Sequence, residues 1–439
     1  MKARNIALLA ALPAAILSVN SAYAGVGVYG KINVSNQFHS ADNNNGTVSA
    51  APPAVQNGDI YDNNSLESNA SRFGIKASTD LGDTGLKAVA KLEYQVNTDD
   101  GVDSSGDELS QRNIYGGLQG GFGAVIAGKF DTPLKESQGK VDLFNDLILG
   151  DIQNVLLGEI RADNIVMYST PKLSDCLRIS KSTCIVIPFD GSLAAHVALM
   201  SGEDSGLDTP SGAYTENNDF ADYISASVVW ENDYLYMALA HDTGSATTNV
   251  APSATTTLPQ IATQRSGAEI TRFTTQWKAT SDLALGFIYQ TAKSADNHNT
   301  NGVEAIGSFG GASAPFGSTA NWTQLYDEQD GYILSAQYTL NNLHVFKLQY
   351  GTSESNAIDQ TATGTVTLQP TWNVTTADAG DDIKTEALSI GYDYMLDKKF
   401  KIFTYYTDYQ AEQKNIAGQK REINADTLGV GFEYSFDSL

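Results

Sequence analysis

The sequence predicts an all-β protein, a transmembrane antiparallel β-barrel of about sixteen strands with long external loops. Three observations carry this. Short segments alternate apolar and polar residues, and nowhere in the 439 residues is there an apolar run of the roughly eighteen that a membrane-crossing helix needs. Aromatic residues gather near the ends of those segments, as in an interfacial girdle: Tyr94, Trp230, Trp277, Tyr289, Tyr350, Tyr394, Tyr434 and Phe436. Connectors alternate between long and short, which places long loops at one end of a barrel and tight turns at the other.

In chain order, residues 1–24 read as an export signal. Lys2 and Arg4 give the positive start, Ile6 to Val19 the apolar centre, and Ala22-Tyr-Ala24 the small-residue cleavage site. The apolar part is too short for a membrane anchor and contains Pro13. From Gly25 onward no composition shift marks a domain boundary, so residues 25–439 are read as one barrel.

A first strand over about 26–36 is followed by a long Asn/Pro-rich loop, and a second over about 70–79 by a tight turn at 80–84. From Leu86 to Val96, one face carries Leu86, Ala88, Ala90, Leu92, Tyr94 and Val96, and the other carries Lys87, Lys91, Glu93 and Gln95. The same alternation holds over 332–340, over 388–394 with Asp393 on the polar face, and over 428–436 with Glu433 on the polar face. Short connectors recur at 119–123, 231–233, 280–282, 341–342 and 396–399; long ones at 98–110, 132–162, 201–220, 243–267, 293–330, 352–383 and 409–422. An even strand count lets the last strand pair antiparallel with the first, around an aqueous lumen.

One connector differs from the rest. After the Gly-rich hairpin of 111–130, the segment from Asp131-Thr-Pro133 to Asp163 loses strand periodicity and carries Glu136, Asp142, Asp146, Asp151 and Glu159. Between these acids lie the apolar clusters 141–144 and 147–149, so the loop is expected to pack against something and to have a function.

Arg112 to Pro133 followed by Val141-Asp-Leu-Phe-Asn-Asp146 resembles the general diffusion porins of Gram-negative outer membranes. Further matches are Val28-Tyr-Gly-Lys31, the stretch Ser71-Arg-Phe-Gly-Ile-Lys-Ala-Ser-Thr-Asp-Leu-Gly82, Tyr168-Ser-Thr-Pro171 and Gly429-Val-Gly-Phe-Glu-Tyr-Ser-Phe436. The resemblance implies that the 132–162 loop is a third external loop folded inward to narrow a water-filled channel for small hydrophilic solutes and ions. It implies a homotrimer in the outer membrane, among lipid and lipopolysaccharide with divalent cations between them, and no cofactor. By their local motifs, Lys31, Arg72, Arg112 and Arg161 correspond to a basic cluster on the wall opposite the loop, where Asp142, Asp146 and Asp151 are the candidate acids. An inward position is required of those cations in any case, because Lys or Arg on the lipid face near the midplane costs about 2–4 kcal/mol. Where the family's chains commonly end on an aromatic residue, Phe436 here is followed by Asp437-Ser-Leu439.

Other chemistry finds little support. A net charge of −24 argues against nucleic acid, whose phosphates need a basic footprint, and suits a surface that meets divalent cations. Gly25-Val-Gly-Val-Tyr-Gly30 fits a dinucleotide fingerprint but lacks the strand before it and the helix after it. There is no G-x-S-x-G elbow, the five histidines are scattered, and the acidic stretch 99–108 misses the spacing of a calcium loop. The alternatives are an outer-membrane barrel enzyme of phospholipase type, and a barrel acting mainly as adhesin or receptor through its long loops. Between Pro171 and Gly191, where a short turn is due, the chain carries its only two cysteines, Cys176 and Cys184. In an oxidising periplasm they are expected to form a local disulfide.

Overall fold

The structure is a computed structural model; it describes residues 24–44, 58–99, 109–174, 176–178, 184–186, 190–200, 221, 223–244, 268–294, 307–310, 323–357, 367–368, 372–373, 382–414 and 420–438. Alternating sequence becomes sixteen barrel strands: β1 (Ala24–Asn44), β2 (Gly58–Ser68, resumed at Arg72–Asp80), β3 (Lys87–Val96), β4 (Leu109–Gly120), β5 (Gly123–Asp131), β6 (Arg161–Ser169), β7 (Ser192–Met200) and β8 (Tyr223–Glu231), then β9 (Leu235–Gly244), β10 (Ala268–Lys278), β11 (Leu283–Ser294), β12 (Thr323–Leu340), β13 (His344–Ala357), β14 (Ile383–Asp397), β15 (Phe400–Lys414) and β16 (Lys420–Asp437). Each is antiparallel to the next, and β16 closes on β1 from Tyr29↔Asp437 to Asn44↔Glu422. Among the described residues, closure leaves the barrel itself without an unpaired edge. Past the last strand, Ser438 keeps pairing: its N–H donates to Val28 O (2.9 Å) and its Oγ accepts from Val28 N (2.8 Å).

Two-residue periodicity decides which side chains face out. On β16, Leu428, Val430, Phe432 and Tyr434 are exposed on the outer wall while Thr427 is buried inside; on β14, Leu388 and Ile390 face out while Ser389 and Asp393 are buried. Of the girdle aromatics, Trp277, Tyr289 and Tyr434 are exposed on that outer wall. The three-residue β12–β13 turn, 341–343, rests on Asn341 and Asn342, both left-handed (φ 56° and 55°), a conformation asparagine tolerates, and Leu343 N donates to Leu340 O (3.0 Å).

Residues 1–23 of the expected export signal lie outside the described residues, and Ala24 is the first residue of β1. The 170–191 connector is longer than a tight turn and holds a small hairpin, Cys176–Arg178 paired with Cys184–Val186. Its register sets Cys176 opposite Val186 and Cys184 opposite Arg178, and the cysteine side chains lie outside the described residues.

The largest cluster of buried apolar residues lies inside the barrel. Leu134, Val141, Leu149, Ile152, Val155, Leu156 and Leu157 of the long loop pack against wall residues that include Ala240, Ile270, Ile288, Ile333 and Tyr409. Each fully buried side chain of this size contributes about 1.5–3 kcal/mol, which is what fixes an otherwise irregular segment in the lumen.

Candidate functional site

The loop leaves β5 through α1 (Pro133–Glu136), whose Thr132 cap accepts from Lys135 N (3.3 Å) and whose first position is a proline. It then follows the inner wall. Leu134 N donates to Ser225 Oγ on β8 (3.1 Å), Tyr236 OH on β9 to Ser137 O (3.1 Å), Gln276 Nε2 on β10 to Lys140 O (3.1 Å), and Leu143 N to Gln349 Oε1 on β13 (2.8 Å). At the tip the chain reverses through the left-handed residues Asp146 (φ 67°) and Leu149 (φ 62°). The return limb retraces the wall: Gln349 Nε2 donates to Gly150 O (2.9 Å), and Leu157 N donates to Gln329 Oε1 on β12 (3.1 Å).

Three of the four candidate wall cations lie at β-bulges. Residues 32–33 of β1 face three residues, 69–71, immediately before Arg72. On β4, Arg112 and Asn113 together face Glu93 alone. On β6, Asp163 and the left-handed Asn164 face Lys129 alone, two residues past Arg161. An extra residue twists a strand locally and re-aims its side chains, so each bulge sets the direction of the arginine beside it. Arg112 is close enough to Arg72 and Arg161 to be repelled by both.

The partners of these cations differ. Lys31 Nζ lies 2.9 Å and Arg72 Nη2 3.2 Å from the same oxygen, Asp146 Oδ2, at the loop tip. Arg112 Nε instead meets Glu93 Oε1 (3.2 Å), while Lys91 Nζ and Tyr29 OH meet the other oxygen, Oε2, and Arg161 Nη2 meets Asp131 Oδ1 (2.9 Å). Asp146 is thus the one loop acid brought onto the basic wall. Burial works to raise its pKa, but Lys31 and Arg72 prevail and hold the carboxyl below its ordinary range.

Asp142 and Asp151 turn into the loop and bind its own amides. Asp142 accepts from Phe144 N (3.1 Å), Ile152 N (3.2 Å) and Gln349 Nε2 (3.2 Å); Asp151 accepts from Asp146 N (2.9 Å) and Gln153 N (3.0 Å). Four backbone N–H groups of the loop thus find their acceptors on these two carboxylates, which accounts for the placement. Burial pushes Asp142 up to about 6, against the pull of its N–H donors, and raises Asp151 well above its ordinary value, with the Asp142 charge adding to the effect.

Several charged residues outside the candidate set complete the site. A ladder crosses the wall from Lys347 to Asp393 (2.9 Å), Asp393 to Lys401 (3.2 Å), Lys401 to Glu433 (4.0 Å) and Glu433 to Lys31 (3.7 Å). Asp393, Glu433 and Glu93 were legible as polar-face residues of alternating strands; Arg272, fully buried against Glu159, left no signal beyond being charged in mid-strand. The loop leaves a recess of about 500 Å³ against β10–β15, with Asp142, Lys347 and Lys401 on its lining, and another of about 330 Å³ toward β3–β8, lined by Lys91, Asp131 and Glu136. In the second, His196 Nδ1 lies 2.8 Å from Ser169 Oγ, but the charged neighbour of that imidazole is Lys172, not the carboxylate that orients a hydrolytic histidine. Among the described residues no group of three His, Cys, Asp or Glu converges as a metal site.

Residues 6–177 match the family model described as Gram-negative porin. Over 144 residues the chain is 35% identical to the major outer membrane protein P.IB of Neisseria gonorrhoeae, a match covering 32% of this chain and 36% of that protein. Over 113 residues it is 34% identical to an outer membrane porin protein of Bordetella pertussis, covering 24% of this chain and 28% of the other. The chain therefore matches only about a third of the length of these relatives. Its fold is similar to that of an anion-selective porin from Comamonas acidovorans (TM-score 0.55, 17% identity, 94% of this chain and 100% of the other). It is also similar to the outer membrane channel DcaP of Acinetobacter baumannii (TM-score 0.55, 13% identity, 95% and 99%).

Proposed function

We propose that this chain, whose first part matches the Gram-negative porin family and whose barrel has the porin fold throughout, forms a water-filled outer-membrane channel through which small hydrophilic solutes and ions diffuse passively. The observation that carries the reading is the loop folded inside the barrel with Asp146 held between Lys31 and Arg72. Such a bar across the lumen sets a size limit, and the opposed charges beside it orient polar solutes and disfavour apolar ones. Catalysis has no part in this reading; diffusion down a gradient needs only diameter and lining charge.

Three copies are proposed to associate through the apolar outer wall, and the acidic surface to meet lipopolysaccharide through divalent cations. Refolded protein in a planar bilayer should give stepwise, ohmic conductance. A bilayer that stays silent, with an esterase activity or an adhesive phenotype in its place, would give the site to the alternatives.

A further inference from the structure

The Arg272 side chain on β10 has no solvent exposure, and every hydrogen bond of its guanidinium ends on the loop or on the residue beside it that also grips the loop. Nη1 donates to Glu159 Oε1 (2.7 Å) and to Leu134 O (3.3 Å), Nη2 to Leu157 O (3.0 Å), and Nε to Gln290 Oε1 (2.7 Å). Gln290 Nε2 in turn donates to Leu157 O (2.9 Å). Leu134 belongs to the outgoing limb of the loop, and Leu157 and Glu159 to the returning one. A single guanidinium therefore ties both limbs to the wall and to each other. Gly158 permits this closeness: it is left-handed (φ 96°), and a Cβ there would stand 2.5 Å from Leu134 Cδ2.

We propose that Arg272 is the positioning residue that holds the constriction loop at its working width. Two of the loop's attachments to the wall are ionic, and they differ in kind. At the tip, Asp146 is held by ion pairs that border the lumen and weaken as salt enters. At the base, the Arg272–Glu159 pair is dry, and the planar fork supplies a donor in each direction where an acceptor waits. A fixed base lets the tip pairs break and re-form without both limbs shifting along the wall. Loss of the fork would leave the buried Glu159 carboxylate unpaired, while Leu157 O keeps Gln290 Nε2 and Leu134 O keeps the Ser137 hydroxyl, so it is this charge that draws the returning limb toward the lumen.

The proposal rests on the channel reading for one of its two readouts, so the test has two arms. Wild type, Arg272→Met, Arg272→Lys and Glu159→Gln are refolded, and closure of each barrel is checked by its mobility before and after heating. In single-channel recordings, which sample only folded barrels, Arg272→Met should raise open-channel current noise several-fold, with Arg272→Lys between it and wild type because an ammonium can pair with Glu159 but not fork. In hydrogen–deuterium exchange, peptides from 133–160 should exchange roughly tenfold faster in Arg272→Met while those of β13–β16 stay unchanged. Wild-type noise and wild-type loop exchange in Arg272→Met would overturn the clamp. If that variant does not fold, Glu159→Gln decides by the same two readouts, and no change there overturns it equally. A wild-type barrel that fails to conduct sinks the channel reading alone, since the exchange arm still tests the clamp.

Discussion

Asp146 Oδ2 lies 2.9 Å from Lys31 Nζ, so the loop tip is tied to the first strand across 115 residues of sequence. In the proposed channel this contact would set which charges the narrow part of the lumen presents. With Asp146 present, Lys31 and Arg72 are partly neutralised; with Asp146→Asn, both are released toward the passing ion. The cation-to-anion permeability ratio should fall about threefold, the change that about 0.6 kcal/mol of altered lining potential produces. Reversal potentials in a salt gradient measure it. A ratio unmoved by Asp146→Asn would place this contact away from the ion path. The acidic surface adds a mild cation preference of its own, which should fade as salt rises, since exposed charges are screened beyond about 8 Å at physiological ionic strength.

Arg112 tests size rather than sign. Its guanidinium meets Glu93, which keeps Lys91 Nζ at 3.2 Å and Tyr29 OH at 2.8 Å when the arginine is gone. Arg112→Ala should therefore leave the wall folded and remove one side chain from the cluster. Bulky zwitterions should enter proteoliposomes about twice as fast relative to small ones, while Arg112→Lys restores most of the discrimination. Equal rates for all three proteins would mean that Arg112 stands clear of the narrowest section.

The strand plan was legible because alternation and turn chemistry are local: Lys91 and Glu93 fell on the polar face, and Asn341-Asn342 marked their own turn. The arginine bulges were not, since one inserted residue such as that within 69–71 leaves no mark in a two-residue period. Nor could spacing separate Asp146 from Asp142 and Asp151. All three lie in one acidic loop, and what distinguishes them is which backbone amides the folded loop leaves without an acceptor. The loop's footprint did leave a trace in Ile270, Ile288 and Ile333, apolar residues on faces that should line water. They are buried because the loop covers them.

Cys176 and Cys184 present a different kind of test. Their strands pair with Cys176 opposite Val186 and Cys184 opposite Arg178, a diagonal relation. Diagonal neighbours in an antiparallel pair stand about 7–8 Å apart, past the reach of a disulfide, so a bridge requires the small hairpin to slide its register. In the oxidising periplasm we expect that slide and the bridge. Mass spectrometry should find both cysteines alkylated only after reduction; alkylation without it would mean that this register persists and the thiols are free.

The buried acids of the loop make its order depend on pH, and the sign follows from their shifts. Burial raises Asp142 to about 6 and Asp151 well above 3.8, so the folded loop favours their protonated forms. An acid raised on folding contributes stability that is full below 3.8 and is lost as pH climbs through about 6. Asp146 runs the other way: held below 3.8 by Lys31 and Arg72, it stabilises the tip above that value and stops doing so as pH falls beneath it. Loop order should therefore peak in mildly acidic solution, between about pH 4 and 6, where the interior acids are protonated and the tip pair is still charged. Acidifying from about pH 7.5 to 5 should quiet the open channel and raise the protection of the Phe144 and Ile152 amides relative to their intrinsic exchange at each pH, and further acidification should reverse both. Asp142→Asn keeps an acceptor for those amides without a charge, so it should be as quiet at neutral pH as the parent is near pH 5. If Asp142→Asn and Asp151→Asn keep the parent's pH profile, the dependence arises elsewhere, with Glu136, also raised by burial, the next carboxylate to change.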